Sequence, residues 1–156
     1  MPHRQKVGGR TSLPVLYNIE RAVGPVCPNR REDVMLVQYM LRAFFSATMP
    51  GRGGWIPHAR LKVDGVCGPI TEEYISAFQH RAASIVAASL DNRMHPATEV
   101  FGPRHGFHFA IILLNTLLHR TQPILFQNLP WAADMPADVK ALLTRPEAPI
   151  GRFVFI

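Results

Sequence analysis

Three stretches of the chain carry a helical repeat of apolar positions. The first runs from about Arg30 to Phe45, where Val34, Val37, Leu41 and Phe44 recur at helical spacing. Met35, Leu36, Tyr39, Met40 and Phe45 cover most of the remaining circumference, so only Gln38 and Arg42 leave a polar stripe. A helix this apolar must be covered on several sides, by terminal segments or by a partner. Asn29 stands at the N-cap position with Glu32 three residues on, the spacing of a capping box, and Glu32 and Asp33 suit the positive end of the helix dipole. The second helix is expected to open at Gly68-Pro69, with Thr71 as an alternative cap, and to continue to about Leu90. Its face is Tyr74/Ile75, Phe78, Ala82, Ile85 and Ser89. The third spans about Phe107 to His119, with His108, Asn115 and His119 on one stripe.

The intervening segments are punctuated by proline and glycine. Residues 1–28 read as an extended arm with one strand-like piece at Leu16 to Ile19. Ser46 to His58 is a loop carrying Trp55, and Leu61 to Val63 is a short extended piece entering a tight turn at Asp64-Gly65. After Thr121 the prolines leave room for one short helix near Ala137 to Leu143, followed by an apolar end, Phe153 to Ile156, suited to docking as a strand. The expected fold is mainly α: a compact three-helix module with an extended N-terminal arm (1–22), a helical domain (23–120) and an irregular proline-rich C-terminal extension (121–156).

Composition adds bounds. In 156 residues, 47% are hydrophobic and 18% charged, enough for a core and against global disorder. No run of 18 apolar residues is present, and the N-terminal basic residues are not followed by the apolar stretch of a secretion signal. A cytoplasmic protein, or one delivered by a non-classical route, is expected. Net charge is +6. Residues 1–31 hold six Lys/Arg against one acid, and the rest of the chain eleven against ten. A basic arm attracts polyanions without choosing among nucleic acid, anionic lipid and acidic wall polymer. Cys27 and Cys67 lie in turns just before helices; reduced thiols are expected, with a disulfide as the alternative.

Two segments carry a resemblance. Val23-Gly24-Pro25-Val26-Cys27-Pro28-Asn29, continuing through Asp33-Val34, Val37-Gln38 and Leu41, resembles a turn followed by D-V-x-x-V/L-Q-x-x-L. Val63-Asp64-Gly65-Val66-Cys67-Gly68-Pro69-Ile70-Thr71, continuing to Ile75 and Phe78-Gln79, resembles D-G-x-x-G-P-x-T-x-x-x-I-x-x-F-Q. In this order the pair is similar to the peptidoglycan-binding-like domain, a small helical module of wall hydrolases and related proteins. The N-terminal segment also resembles proteins linked to type VI secretion or phage tails. The resemblance covers about Val23 to Ala83. A later Leu90-Asp91-Asn92-Arg93 gives a faint echo of a further L-x-V-D-G turn, without the glycine.

The resemblance implies a non-catalytic module that binds peptidoglycan or its peptide stem, with no cofactor and no metal. Val34, Val37, Gln38, Leu41, Gly68, Pro69, Phe78 and Gln79 are expected to be scaffold, the two glutamines fastening loop backbone through their amides. Ligand contacts are expected near Arg60, Lys62, Asp64, Gly65, Thr71 and Tyr74, with Trp55 beside them, since a cation and turn amides suit carboxylates. Three rivals stand beside this reading. An assembly or adaptor part would use the scaffold for protein docking or self-association through apolar helix one and the C-terminal tail. A zinc wall hydrolase would draw on His95, His105, His108 and His119 with Asp91 and Glu99, but no H-E-x-x-H is present. A nucleic-acid binder would use the basic arm, without any zinc-finger, ribonucleoprotein or recognition-helix pattern to support it.

Overall fold

The computed structural model of the protein describes residues 1–7, 13–47, 56–57, 59–86, 88–97, 110–146 and 148–151. Trp55, His58, Glu99, His105, His108, the start expected for helix three and the end at 153–156 lie outside them. The architecture is mainly helical with a small sheet. In chain order it comprises β1 (His3–Val7), β2 (Val15–Asn18), α1 (Arg31–Ala47), α2 (Pro69–Ala83), α3 (Ala110–Thr121), α4 (Pro123–Gln127), a 3-10 turn (Leu129–Trp131), α5 (Ala137–Leu143) and β3 (Ala148–Gly151).

The N-terminal segment is therefore not a free extended arm. β1 pairs antiparallel with β2, His3 opposite Asn18 and Lys6 opposite Val15, and pairs parallel with β3 on its other edge. Leu16, Tyr17 and Ile19 are fully buried. Asn115 of α3 completes the free edge of β2: its Oδ1 accepts from the Tyr17 amide at 2.8 Å and its Nδ2 donates to the Tyr17 carbonyl at 2.9 Å. A side-chain amide reproduces here what a further strand would have offered. Several of the N-terminal cations are also matched, Arg30 with Glu20 at 2.7 Å and Arg31 with Asp138 at 2.8 Å.

Helix α1 lies within a residue or two of its expected bounds, but its start is built differently. Arg30 supplies the first carbonyl, to the Val34 amide at 2.9 Å. Asn29 sits at φ 47° and turns its amide back onto Gly24, accepting from its N–H at 2.8 Å and donating to its carbonyl at 2.9 Å. It fastens the preceding turn and does not cap the helix. Asp33, fully buried, reaches out of the first turn to accept from the Glu20 and Arg21 amides, joining α1 to the end of β2.

The apolar circumference of α1 is covered by the chain itself, through contacts with α2, α3 and α5. Helix one is thus no free docking face, contrary to that expectation, because Val34, Leu36, Val37, Met40 and Leu41 are already sealed. One hydrophobic core runs from Leu13 to Leu143 and includes Phe126, Leu129 and Val139 from the C-terminal segment. That segment is not irregular. Besides α5, which matches its expected span, Pro123 opens α4 as its first residue, where a missing N–H costs nothing. α2 ends at Ala83, short of Leu90, and Ile85 is left exposed. No helix among the described residues is long and apolar enough to cross a membrane.

Candidate functional site: a glutamine-clasped turn beside two cations

Gln38 is the polar residue on the otherwise sealed face of α1, and it is buried. Its Oε1 accepts from the amides of Asp64 (3.0 Å) and Gly65 (2.9 Å). Its Nε2 is shared among Asp64 Oδ1, the Val66 carbonyl and Thr71 Oγ1, each at 3.0 Å. Asp64 Oδ1 also accepts from the Val66 amide at 2.9 Å, so one side chain of α1 and one of the turn close the corner together. Gly65 takes φ 78°, and a Cβ there would stand 2.5 Å from Arg31 Cγ and 3.0 Å from the Arg31 carbonyl oxygen. The turn is pressed against the first turn of α1, which is why glycine is needed. Gly68 and Pro69 then start α2, and Phe78 meets Phe44 of α1 edge-on at 5.4 Å.

A second corner repeats this construction. Gln79 Oε1 accepts from the Asn92 amide at 2.8 Å, while Nε2 donates to Asp91 Oδ1 at 3.1 Å and to the Arg93 carbonyl at 2.8 Å. The Arg93 amide donates to Asp91 Oδ1 at 3.1 Å, as Val66 does to Asp64. Asn92, at φ 59°, occupies the place of Gly65. The Leu90-to-Arg93 echo is thus the same corner with asparagine in the left-handed position, a residue that tolerates it. Val23 and Met94 then join by a two-bond bridge, tying this corner to the N-terminal turn.

Both turn carboxylates are held below their ordinary range. For Asp64 the causes are the Val66 amide first and the Gln38 amide second. For Asp91 burial pushes upward, and the hydrogen bonds from His95, Gln79 and Arg93 outweigh it. Cys27 and Cys67 are free thiols, and burial pushes Cys67 up to about 11. Neither is an activated nucleophile.

Beside the first corner lies an open cleft of about 280 Å³, backed by Gln38, Asp64 and Thr71 and bordered by Arg60, Lys62 and Ile70. Arg60 and Lys62 are exposed and make no hydrogen bond or ion pair among the described residues; Lys62 adds only a weak attraction on Asp64. Of the expected ligand residues, Arg60, Lys62, Asp64 and Thr71 come together at this cleft. Thr71 is buried and its hydroxyl is engaged with Gln38 and the Val66 carbonyl, so it serves the corner. Gly65 does not line the cleft. Tyr74 does not line it either: its ring is buried edge-on against Phe45 at 5.3 Å and its hydroxyl donates to the Ala59 carbonyl at 3.0 Å.

Tyr74 lines instead a neighbouring cleft of about 490 Å³, which Arg60 also borders. The sequence pattern does not point to this second cleft beyond placing Arg42 on the polar stripe of helix one. Among the described residues no group of three His, Cys, Asp or Glu side chains is placed to hold a metal ion. His95 pairs with Asp91 at 2.7 Å and His119 packs on the Phe126 ring. No protein-family model, curated protein or solved structure matches this chain.

Proposed function

We propose that this chain is a non-catalytic peptidoglycan-binding module that holds itself, or a partner, at the bacterial wall. The observation that carries the reading is the pair of exposed cations, Arg60 and Lys62, without an ion-pair partner among the described residues, at the mouth of the cleft beside the Gln38-clasped turn. That turn belongs to the second of the two segments that carry the sequence resemblance. Wall peptide stems present carboxylates and amides to such a surface, and two cations with little desolvation to overcome favour them. The segment that carries both cations is anchored by Leu61 between them, which is buried in the core.

The test is co-sedimentation of the intact protein with purified sacculi. Retention that weakens with salt, and is lost in Arg60→Ala/Lys62→Ala, is the expected result. Undiminished retention of the double variant removes the cleft from the reading.

Docking within a secretion or phage-tail assembly is the second reading. Ile124 and Trp131, 79% and 54% exposed on the C-terminal segment, favour it. A wild-type protein that ignores sacculi but self-associates in solution selects this alternative.

A further inference from the structure

The second cleft, about 490 Å³, is within the size range of small-ligand sites. Its apolar surface comes from Ala43 and Phe45 of α1, Ile56, and Leu125 of α4. The Tyr74 ring is fixed there by its Phe45 contact and by its hydroxyl's bond to the Ala59 carbonyl. One wall is a closed electrostatic unit. Asp134 accepts from the Tyr39 hydroxyl at 2.7 Å through one oxygen and from Arg42 at 2.8 Å through the other, and the Arg42 guanidinium lies 5.3 Å from the Tyr39 ring centroid. Asp134 and Arg42 cancel. Among the described lining residues the remaining charge is Arg60, which makes no hydrogen bond or ion pair with any of the described residues.

We propose that this cleft binds a monocarboxylate carried on a compact apolar or aromatic body. The apolar surface takes the body, and the guanidinium of Arg60 takes the carboxylate through two parallel N–H donors, the geometry arginine offers and lysine does not. A dianion would leave one charge unmatched, because Arg42 is already committed to Asp134. A neutral ligand would leave Arg60 without its partner. The inference uses a different cleft from the wall reading but shares Arg60 with it, so Lys62→Gln, which touches the first cleft alone, separates the two.

The test is a titration of the intact protein, followed by amide and aromatic NMR shifts. The probes are phenylacetate, its neutral analogue phenylacetamide, and acetyl-Ala-Phe with a free or an amidated C-terminus. Saturable binding of a carboxylate, on the order of millimolar, with shifts at Phe45, Tyr74 and Leu125 is expected. The neutral forms should bind about tenfold more weakly or not at all. Tighter binding of phenylacetate assigns the site to a small free acid, and tighter binding of the peptide assigns it to a peptide C-terminus. Arg60→Gln should weaken binding about tenfold or more, while Lys62→Gln, which alters only the first cleft, leaves it unchanged. Arg60 is exposed and makes no hydrogen bond or ion pair among the described residues, so a circular dichroism spectrum matching wild type is expected for the variant. Absence of saturable binding by either carboxylate, equal binding of the amides, or an unaffected Arg60→Gln overturns the proposal.

Discussion

Replacing Gln38 by glutamate changes one atom of a buried side chain and tests the clasp where it is most exacting. The Oε1 side of the clasp survives, because a carboxylate oxygen still accepts from the Asp64 and Gly65 amides. The Nε2 side reverses: an oxygen replaces a donor facing three oxygen acceptors at 3.0 Å, one of them the Asp64 carboxylate. Thr71 can rotate to donate, but the Val66 carbonyl and Asp64 cannot. Losing the favourable bonds and burying a charge beside a like charge costs about 3–5 kcal/mol at neutral pH. For a chain of this length that lowers Tm by about 2–4 °C per kcal/mol.

The pH dependence fixes the cause. Burial and Asp64 raise the pKa of the new carboxyl in the folded state above its unfolded value. The folded variant then holds the proton more readily, and its deficit relative to wild type shrinks as pH falls through the raised pKa. Gln38→Ala, which only deletes the bonds, costs about 2–4 kcal/mol with no such recovery. Urea denaturation followed by circular dichroism between neutral and mildly acidic pH measures all three proteins. A Gln38→Glu protein within about 0.5 kcal/mol of wild type, or a deficit that does not respond to pH, refutes the clasp as a buried donor site.

Gly24→Ala should be strongly destabilising, by about 2 kcal/mol or more, because φ is 141° and the new Cβ would meet the Asn92 carbonyl oxygen at 2.6 Å; thermal denaturation reads the loss. Val26→Gly should instead stabilise, by about 1 kcal/mol in the same assay, since valine is held at φ 57° while its side chain is 97% exposed and contributes no burial. Asp64 and Asp91, with depressed folded pKa values, contribute stability that is present above the ordinary carboxylate range and lost as pH falls through the depressed values; Asp91→Asn should flatten that acid limb in a pH-dependent urea series.

The parts of the molecule legible from sequence are those whose signals are local. The apolar repeat of α1, Pro69 at the head of α2 and the Asp64-Gly65 turn fall where the pattern places them, and Gln38 and Gln79 fasten loop backbone as their positions suggest. The N-terminal strand was not legible. His3 to Lys6 is polar throughout, without the alternation that marks a strand, and its partners lie 9 to 15 residues away on β2 and near the chain's far end on β3. Proline also misled at Pro123, where it opens a helix, and Asn29 misled by spending its amide on Gly24. The second corner was nearly invisible because asparagine stands in the glycine's place; only the hydrogen bonds of Gln79 reveal it. Tyr74 sits at a motif position suggestive of a ligand contact, but the Ala59 carbonyl that occupies its hydroxyl comes from a segment with no pattern of its own.

The wall-binding account is tested most directly by titrating isotope-labelled protein with soluble muropeptides and following its backbone amides. It predicts saturable, salt-sensitive shifts confined to residues 60–71, with the equivalent corner at Asp91 to Met94 unmoved. Shifts at both corners alike, or none at 60–71, contradict it.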